Sequence, residues 1–308
     1  MKYYRAMCTW LKQSTANLTT DLTMTANAGD NVGMIRRNTN DGCLLIAQHD
    51  HAKLAGQLSQ RLRFFDDLQD WELTQATIIA IFQHDAGWIE TDQMGLLNSS
   101  HEPLHVFESP TLIALETWTR SVKLAETLHP YAALLISIHQ MALSSMAINH
   151  AEKYSPQELF GINKFQHQQA ERQEVLRTIL GLRTDIPLAY GLAARGIDPR
   201  EDLLRSHFRL LTFCDRVSLE LCCGKTLFET IDEVPQQKNA KAIPVHTLMP
   251  DANRTLIHPW PFTTNEAISL SVETVQLPVR QFESETDFNR QYQESKRKPI
   301  QFHLQIGR

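Results

Sequence analysis

The stretch that decides the fold is YAALLISIHQMALSSMAI, which occupies residues 131–148 directly after Pro130. It is apolar almost all the way round, and proline is well tolerated in the first turn of a helix. The sequence therefore predicts a helix that is buried at the centre of the fold. His139 lies in the middle of this segment. An imidazole buried there is either a hydrogen-bonded core residue or part of a functional site.

Four more polar residues lie in or against apolar helical stretches on either side of that segment. His51 occurs in QHDHAKLAGQL, His84 and Asp85 in IIAIFQHDAGW, and Asp215 in RLLTFCDRVSL. Unpaired ionisable groups are costly to bury, whereas a bound cation can stabilise a set of imidazoles and carboxylates. His84 and Asp85 diverge by about 100° around a helix axis, but at a helix end both can reach one ion. The pattern predicts a metal site formed by several helices.

The first ligand has an alternative, because two histidines lie close together in QHDH. His49 falls on the approach to the predicted helix, and His51 falls inside its first turn. We favour His51, since Leu54 and Leu58 follow it at helical spacing and place it on the buried face. His49 stays open as the alternative ligand, and His139 is a further one.

Asp215 also has an alternative role, as the partner of an arginine in a buried salt bridge. Arg209 and Arg216 lie close to it in the same helical stretch. Removing one partner of a buried ion pair is strongly destabilising, so a salt bridge would make Asp215 a structural residue. The apolar residues on both sides of Asp215 predict a buried position, which either role explains.

The predicted chemistry follows from the ligand types. Mixed imidazole and carboxylate ligation suits Fe, Mn, Zn and Co and does not distinguish among them. A water on such an ion loses several pKa units and becomes a hydroxide nucleophile near neutral pH. The predicted catalytic residues are Asp85, which can bridge two ions, and His139, which can support the second. Two metals about 3.5–4 Å apart would clamp the attacking and leaving oxygens of a substrate.

Two residues outside this set are candidates for contact with substrate or for support of a ligand. His105, in the loop EPLHVFESP, is predicted to contact substrate or a second metal, with a solvated loop residue as the alternative. Asp92 can accept a hydrogen bond from a ligand histidine. It can equally be a surface charge.

Residues 34–306 resemble the bacterial domain-of-unknown-function family 3891. The resemblance rests on LLIAQHDHAKLAG, HDAGW, PYAALLISIH, CDRVSLELCC and HPWPF, and on the alternating final strand. It covers nearly the whole chain beyond the first 33 residues. This resemblance implies a fold more than it implies a function.

A broader resemblance concerns the ligands alone. His51, His84, Asp85 and Asp215, with His139 as an extra ligand, are similar in order to the ligands of the HD superfamily of metal-dependent phosphohydrolases. The resemblance implies a mostly helical core and metal-dependent hydrolysis of a phosphate ester or a nucleotide.

Trp88 departs from the HD pattern. Several HD phosphodiesterases have the sequence His-Asp-x-Gly-Lys, in which the lysine can contact phosphate, and this chain has Trp88 in the lysine position. An aromatic wall replaces a charged phosphate contact there. The departure leaves room for a nucleobase, another organic substrate, or oxygen chemistry at a di-iron site.

Composition and spacing divide the chain into three parts. Residues 1–33 are predicted to be a disordered leader or a mis-annotated start. Residues 34–225 are predicted to be an HD-like helical domain that begins with a hairpin over residues 34–47, with its turn at 40–42. Residues 185–198 are a candidate lid. Residues 226–308 contain alternating segments that indicate a small β-rich domain. The predicted fold class is mainly α with a small antiparallel β domain and an HD-domain-like helical core.

Bulk properties exclude several classes of protein. The 308-residue chain has a net charge of −5, which disfavours nonspecific binding of nucleic acid. Its five cysteines lack the spacing of a disulfide framework or a zinc ribbon. It has no apolar run of the ~18 residues needed to cross a membrane. The predicted location is cytoplasmic, and the predicted partner is a small-molecule substrate, with no nucleic acid and no membrane.

These observations predict a metal-dependent hydrolase of a phosphate-containing small molecule, with a metal-bound hydroxide as the nucleophile. One alternative is a di-iron oxygenase on the same helical scaffold. Another is a non-catalytic protein whose pocket binds a regulatory ligand. Metal content separates the three classes.

Overall fold

The computed structural model describes residues 33–66, 71–148, 150–182, 199–238 and 240–307. The predicted leader, apart from residue 33, and the candidate lid at 185–198 lie outside the described residues. The helices are α1 Gln48–Ser59, α2 Trp71–Gln83, α3 Thr111–Glu126, α4 Pro130–Ile148, α5 Pro156–Ile179, α6 Pro199–Cys223 and α7 Glu285–Glu294. The strands are β1 Ile35–Thr39, β2 Gly42–Ile46, β3 Thr230–Val234, β4 Ile243–Asp251, β5 Arg254–His258, β6 Ile268–Leu277 and β7 Arg297–Ile306.

Local sequence signals explain where several elements begin. Helix α5 starts with a capping box: Ser155 Oγ accepts a hydrogen bond from the Glu158 backbone N–H, and the Glu158 carboxylate accepts one from the Ser155 N–H. Strands β1 and β2 are joined by a tight turn that ends at Gly42, whose φ is 134°. Glycine adopts that conformation without a steric penalty. The predicted hairpin over residues 34–47 is confirmed.

Helix α4 lies at the centre of the helical part, as the sequence predicts. Residues 131–136 are at most 1 % exposed. Helix α4 packs against α2, α3, α5 and α6, while α1 packs against α2 and α6. The elements that carry the candidate ligands are therefore neighbours. Within the described ranges, no helix combines the length and the apolar character needed to span a membrane.

The strands of the described residues form one mixed sheet in the order β1-β2-β6-β7-β5-β4-β3. Neighbouring strands are antiparallel except β5 and β7, which run parallel with Arg254 opposite His303. The N-terminal hairpin joins the sheet where Leu45 of β2 lies opposite Val275 of β6. The predicted fold class, mainly α with a small antiparallel β domain on an HD-domain-like helical core, is therefore wrong.

The error has a physical reason, because alternation identifies a strand but does not identify its partner. One hydrophobic core contains Leu54 of α1 and Phe213 of α6 together with Leu270 and Phe302 of the sheet. The sheet is a layer packed on the helices. The domain boundaries predicted after residues 33 and 225 stay predictions.

Candidate metal centre

Four elements bring the candidate ligands together. His51 lies in the first turn of α1, and His84 and Asp85 follow the last residue of α2. His139 lies in the middle of α4, and Asp215 lies in α6. The three histidines are at most 3 % exposed. The packing of these helices therefore buries all three imidazoles in one place.

The ring nitrogens and carboxylate oxygens of these side chains face one another. His51 Nε2 lies 3.3 Å from His84 Nε2, 3.4 Å from Asp85 Oδ2 and 3.3 Å from Asp215 Oδ1. His84 Nε2 lies 3.4 Å from the same Asp215 oxygen and 3.6 Å from Asp85 Oδ2. His139 Nε2 lies 3.5 Å from Asp215 Oδ2. The five residues lie together, and their roles as ligands stay a prediction.

Hydrogen bonds on the far side of two rings determine which nitrogen faces the cluster. His84 Nδ1–H donates to the Ile81 carbonyl at 2.8 Å, in the last helical turn, where carbonyls lack intrahelical partners. His51 Nδ1–H donates to Ser218 Oγ at 2.8 Å, because the Ser218 hydroxyl itself donates to the Asp215 carbonyl at 2.9 Å. Both Nε2 atoms therefore point into the cluster.

The carboxylates change the acid–base behaviour of the buried histidines. Burial opposes the charged form of His51, but hydrogen bonds to Asp215 and Asp85 outweigh burial and raise the pKa of His51 to about 9. Burial also opposes ionisation of Asp215, yet its hydrogen bonds with the histidines hold its pKa well below the usual range. For His139 burial dominates and lowers the pKa to about 4. At neutral pH, His139 is therefore neutral.

The donor set fits a divalent transition-metal ion. Two groups, His51–His84–Asp85 and His84–His139–Asp215, each hold ligand atoms within 4.8 Å of one another. Two ligands of a tetrahedral zinc ion are separated by about 3.4 Å, which is close to the distances within the cluster. Imidazole lone pairs that face each other at 3.3 Å repel unless a proton or a metal ion lies between them. The residues can therefore hold a metal ion.

The cluster lines a cavity of about 400 Å³. Apolar and aromatic side chains form much of the wall, among them Trp88, Leu115, Trp118, Leu143, Ile162 and Leu219. Phe107 and Met146 also line the cavity and are 63 % and 54 % exposed, which places them at its mouth. A small molecule that enters past these two residues can reach the cluster.

His49 and Asp92 lie beside the cluster. The two ligand groups found among the described residues contain His51 and not His49, and burial lowers the pKa of His49 to about 4. The His49 backbone N–H donates to Asp92 Oδ2 at 3.3 Å. The carboxylate of Asp92 is buried, which raises its pKa well above the usual value, and it caps the first turn of α1. Asp92 therefore supports the cluster through the helix that carries His51.

The other two sequence candidates lie at the cavity wall and near its mouth. Trp88 is 2 % exposed and lines the cavity, so the predicted aromatic wall is present. His105 precedes the short 3₁₀ helix Val106–Glu108, where its Nδ1 accepts a hydrogen bond from the Phe107 backbone N–H at 3.2 Å. Its ring therefore orders the segment that places Phe107 at the mouth of the cavity.

The arginines considered as partners of Asp215 make other contacts. Arg209 forms an ion pair with Glu233. The guanidinium of Arg216 lies 5.1 Å from the centroid of the Phe228 ring. Asp215 faces the histidine cluster instead.

The sequence reasoning missed residues that orient the ligands and shape the cavity. Ser218 follows Asp215 by one helical turn on the same face, so its spacing was a usable signal. Gln140 Nε2 donates to the His84 carbonyl at 3.1 Å, and its position next to a candidate ligand was a weaker signal. Trp118 of α3 reaches the cavity only through tertiary packing, for which the sequence holds no local signal.

A comparison with known protein families shows the family to which the chain belongs. It belongs to DUF3891, a family of proteins of unknown function, whose model matches residues 34–279. The family resemblance seen in the sequence is confirmed, whereas membership of the HD superfamily is not shown. A search of the curated proteins and a search of the solved structures each found no match.

Proposed function

We propose that this protein is a metal-dependent hydrolase of a small molecule. The observation that carries the proposal is the cluster of His51, His84, Asp85 and Asp215 beside a cavity of about 400 Å³, with the Nε2 atoms of the first two turned towards the carboxylates. The HD-like order of these residues along the chain supports the same class of chemistry. Fe, Mn, Zn and Co all suit such a ligand set.

In this proposal the residues of the cluster would hold the ion, and several of them have a further role. A bound ion supplies Lewis acidity, which lowers the pKa of water and stabilises negative charge on the substrate. Asp85 and Asp215 offset the charge of the ion, and Ser218 holds the His51 ring in the orientation that presents Nε2. His139 is neutral at neutral pH, so its Nε2 can bind the ion or accept a proton. Asp85 and His139 are the proposed catalytic residues, and both line the cavity, as do the other members of the cluster.

The phosphate-containing substrate that the sequence predicts is a narrower form of this proposal. Within the described part of the chain, no lysine or arginine lines the cavity. A phosphoryl group would therefore depend on the ion for its positive partner. Phosphate esters belong in the substrate panel for this reason, beside substrates without charge.

A di-iron oxygenase is the second candidate. The two ligand groups overlap at His84, and the Asp215 carboxylate presents Oδ1 to His51 and Oδ2 to His139. A carboxylate placed between two sets of imidazoles suits a pair of ions as well as one.

Elemental analysis of protein purified without chelators or an affinity metal tests the proposal. We expect one or two equivalents of a divalent metal, together with hydrolysis of a member of a panel of phosphate esters, nucleotides, esters and amides. Two irons with an optical signature would favour the oxygenase instead. Protein that takes up none of the four metals when they are added back would contradict both enzymes and leave a binding protein.

A further inference from the structure

The wall of the cavity differs in character from the His–Asp cluster. Leu115 and Ile162 line it and are at most 7 % exposed, and two tryptophans, Trp88 and Trp118, add aromatic surface. Of the exposed side chains that line the cavity, Phe107 and Met146 are apolar, and His150 lies beside the Glu152 carboxylate, with Nδ1 3.7 Å from Oε1. A molecule that reaches the cluster therefore passes along an apolar surface, where burial of its own apolar area is favourable.

The described part of the wall holds no lysine or arginine, and several of its polar groups already have partners within the protein; the Ser109 hydroxyl, for example, accepts a hydrogen bond from the Gly33 backbone N–H at 3.1 Å. The Thr111 hydroxyl already donates to Glu158 Oε1 at 2.7 Å, and the Ser144 hydroxyl donates to the Met141 carbonyl at 2.8 Å. Gln48 also lines the cavity, and its amide Nε2 is buried with no hydrogen-bond partner in the described ranges. This amide N–H can donate a hydrogen bond to an oxygen of a ligand beside the cluster.

We propose that the cavity binds an uncharged small molecule with an aromatic or aliphatic body, whose single polar group reaches the His–Asp cluster. The role given to the cluster rests on the proposed function. Binding of the apolar part of the ligand depends only on the wall of the cavity. At about 30 Å³ for a water-sized group, the cavity holds about thirteen non-hydrogen atoms. Each methylene buried in it strengthens binding about fourfold.

The test uses the full chain and three series of straight-chain probes of increasing length: primary amides, hydroxamates and alkyl phosphates. The amides measure binding to the apolar wall of the cavity, because they carry no charge and do not chelate a metal. The hydroxamates add a metal-chelating group to the same chain. The alkyl phosphates add negative charge. Dissociation constants are measured by calorimetry for each member, with inorganic phosphate as a further probe.

We expect the affinities of the amides and the hydroxamates to rise about fourfold per methylene and to level off near about ten carbons, when the cavity is full. Alkyl phosphates of the same length should bind more weakly than the amides. Ala114→Phe places a ring in the cavity, since Ala114 lines it, and should move the plateau to shorter chains. Glu116→Phe adds the same ring to the exposed face of α3 and should leave the plateau unchanged.

Amide affinities that do not depend on chain length would overturn the proposal, and so would phosphate probes that bind more tightly than amides of equal length. The wild-type series decides this even if Ala114→Phe does not fold. Failure of the proposed function looks different: the protein takes up no metal and hydroxamates bind no better than amides, while the dependence on chain length persists.

Discussion

Replacing Asp215 by asparagine tests the metal site most directly, because the substitution preserves shape and removes one negative charge. Asp215 Oδ1 lies 3.3 Å from His51 Nε2 and 3.4 Å from His84 Nε2, and Oδ2 lies 3.5 Å from His139 Nε2. The charge is thus removed from the point at which the three imidazoles meet. The helix keeps its packing, since asparagine has nearly the same volume.

These distances indicate the size of the effect. Two unit charges about 4 Å apart interact by about 4 kcal/mol at an effective dielectric constant of about 20. A ligand carboxylate would lie closer than that to a divalent ion, while rearrangement and the amide dipole of asparagine would recover part of the loss. We therefore expect Asp215→Asn to weaken metal binding by about 4 kcal/mol, which is about a thousandfold in Kd.

Metal content and stability are measured on the same preparations of both proteins. Bound metal is determined by elemental analysis, Kd by competition with a chromogenic chelator, and the free energy of unfolding by urea denaturation of the metal-free forms. Asp202→Asn is the matched control, because Asp202 lies on the same helix and pairs with Arg205 at 3.1 Å. We expect the control to keep its metal and its Kd.

One outcome would refute this reasoning. If Asp215→Asn retains full metal occupancy and loses about 3–5 kcal/mol of stability, Asp215 is the structural partner of a buried cation. The assignment of Asp215 as a metal ligand would then have to be abandoned.

Three further predictions concern the surroundings of the site and the core. Ser218→Ala frees the His51 ring from its fixed orientation and should weaken metal binding about 10–100-fold. Ser206→Ala, on the same helix, should leave the metal Kd unchanged. Competition with a chelator measures the Kd of both variants. Asp92→Ala removes the cap of α1 and should cost about 1 kcal/mol of stability in urea denaturation. Asp92→Asn keeps an oxygen that can accept the hydrogen bond from the His49 N–H and should cost less. Burial lowers the pKa of His207 to about 3, so the unfolded chain binds a proton below about pH 6.5 that the folded chain does not. This histidine should therefore lower the free energy of unfolding by about 1.4 kcal/mol per pH unit from about pH 6.5 towards pH 3. Urea denaturation across that range should show that a His207→Gln variant lacks this contribution to the pH dependence.

The burial of these five residues in one cluster could be predicted in part, because some of them carry a local signal, while their roles as ligands stay a prediction. His139 is a polar residue within an apolar helix, and Asp215 is flanked by Phe213 and Val217, so burial follows from the sequence alone. Buried ionisable residues need polar partners, and residues on neighbouring helices can supply them to one another. The positions of these residues needed no knowledge of the sheet.

The sheet and the cavity could not be predicted in the same way. Leu45 and Val275 pair across β2 and β6, and the alternation around each residue carries no information about the other. Likewise, Trp118 reaches the cavity only because α3 packs against α4. Non-local pairing of this kind depends on the whole fold.

The position of β7 within the sheet has a consequence for how the protein is made. β7 lies between β6 and β5, yet the ribosome synthesises it after both. Until it emerges, the nascent chain can form at most two separate three-stranded pieces, β1-β2-β6 and β5-β4-β3, each with an open edge where β7 belongs. Open edges attract other strands, so the interval before β7 inserts is when a chaperone would matter most.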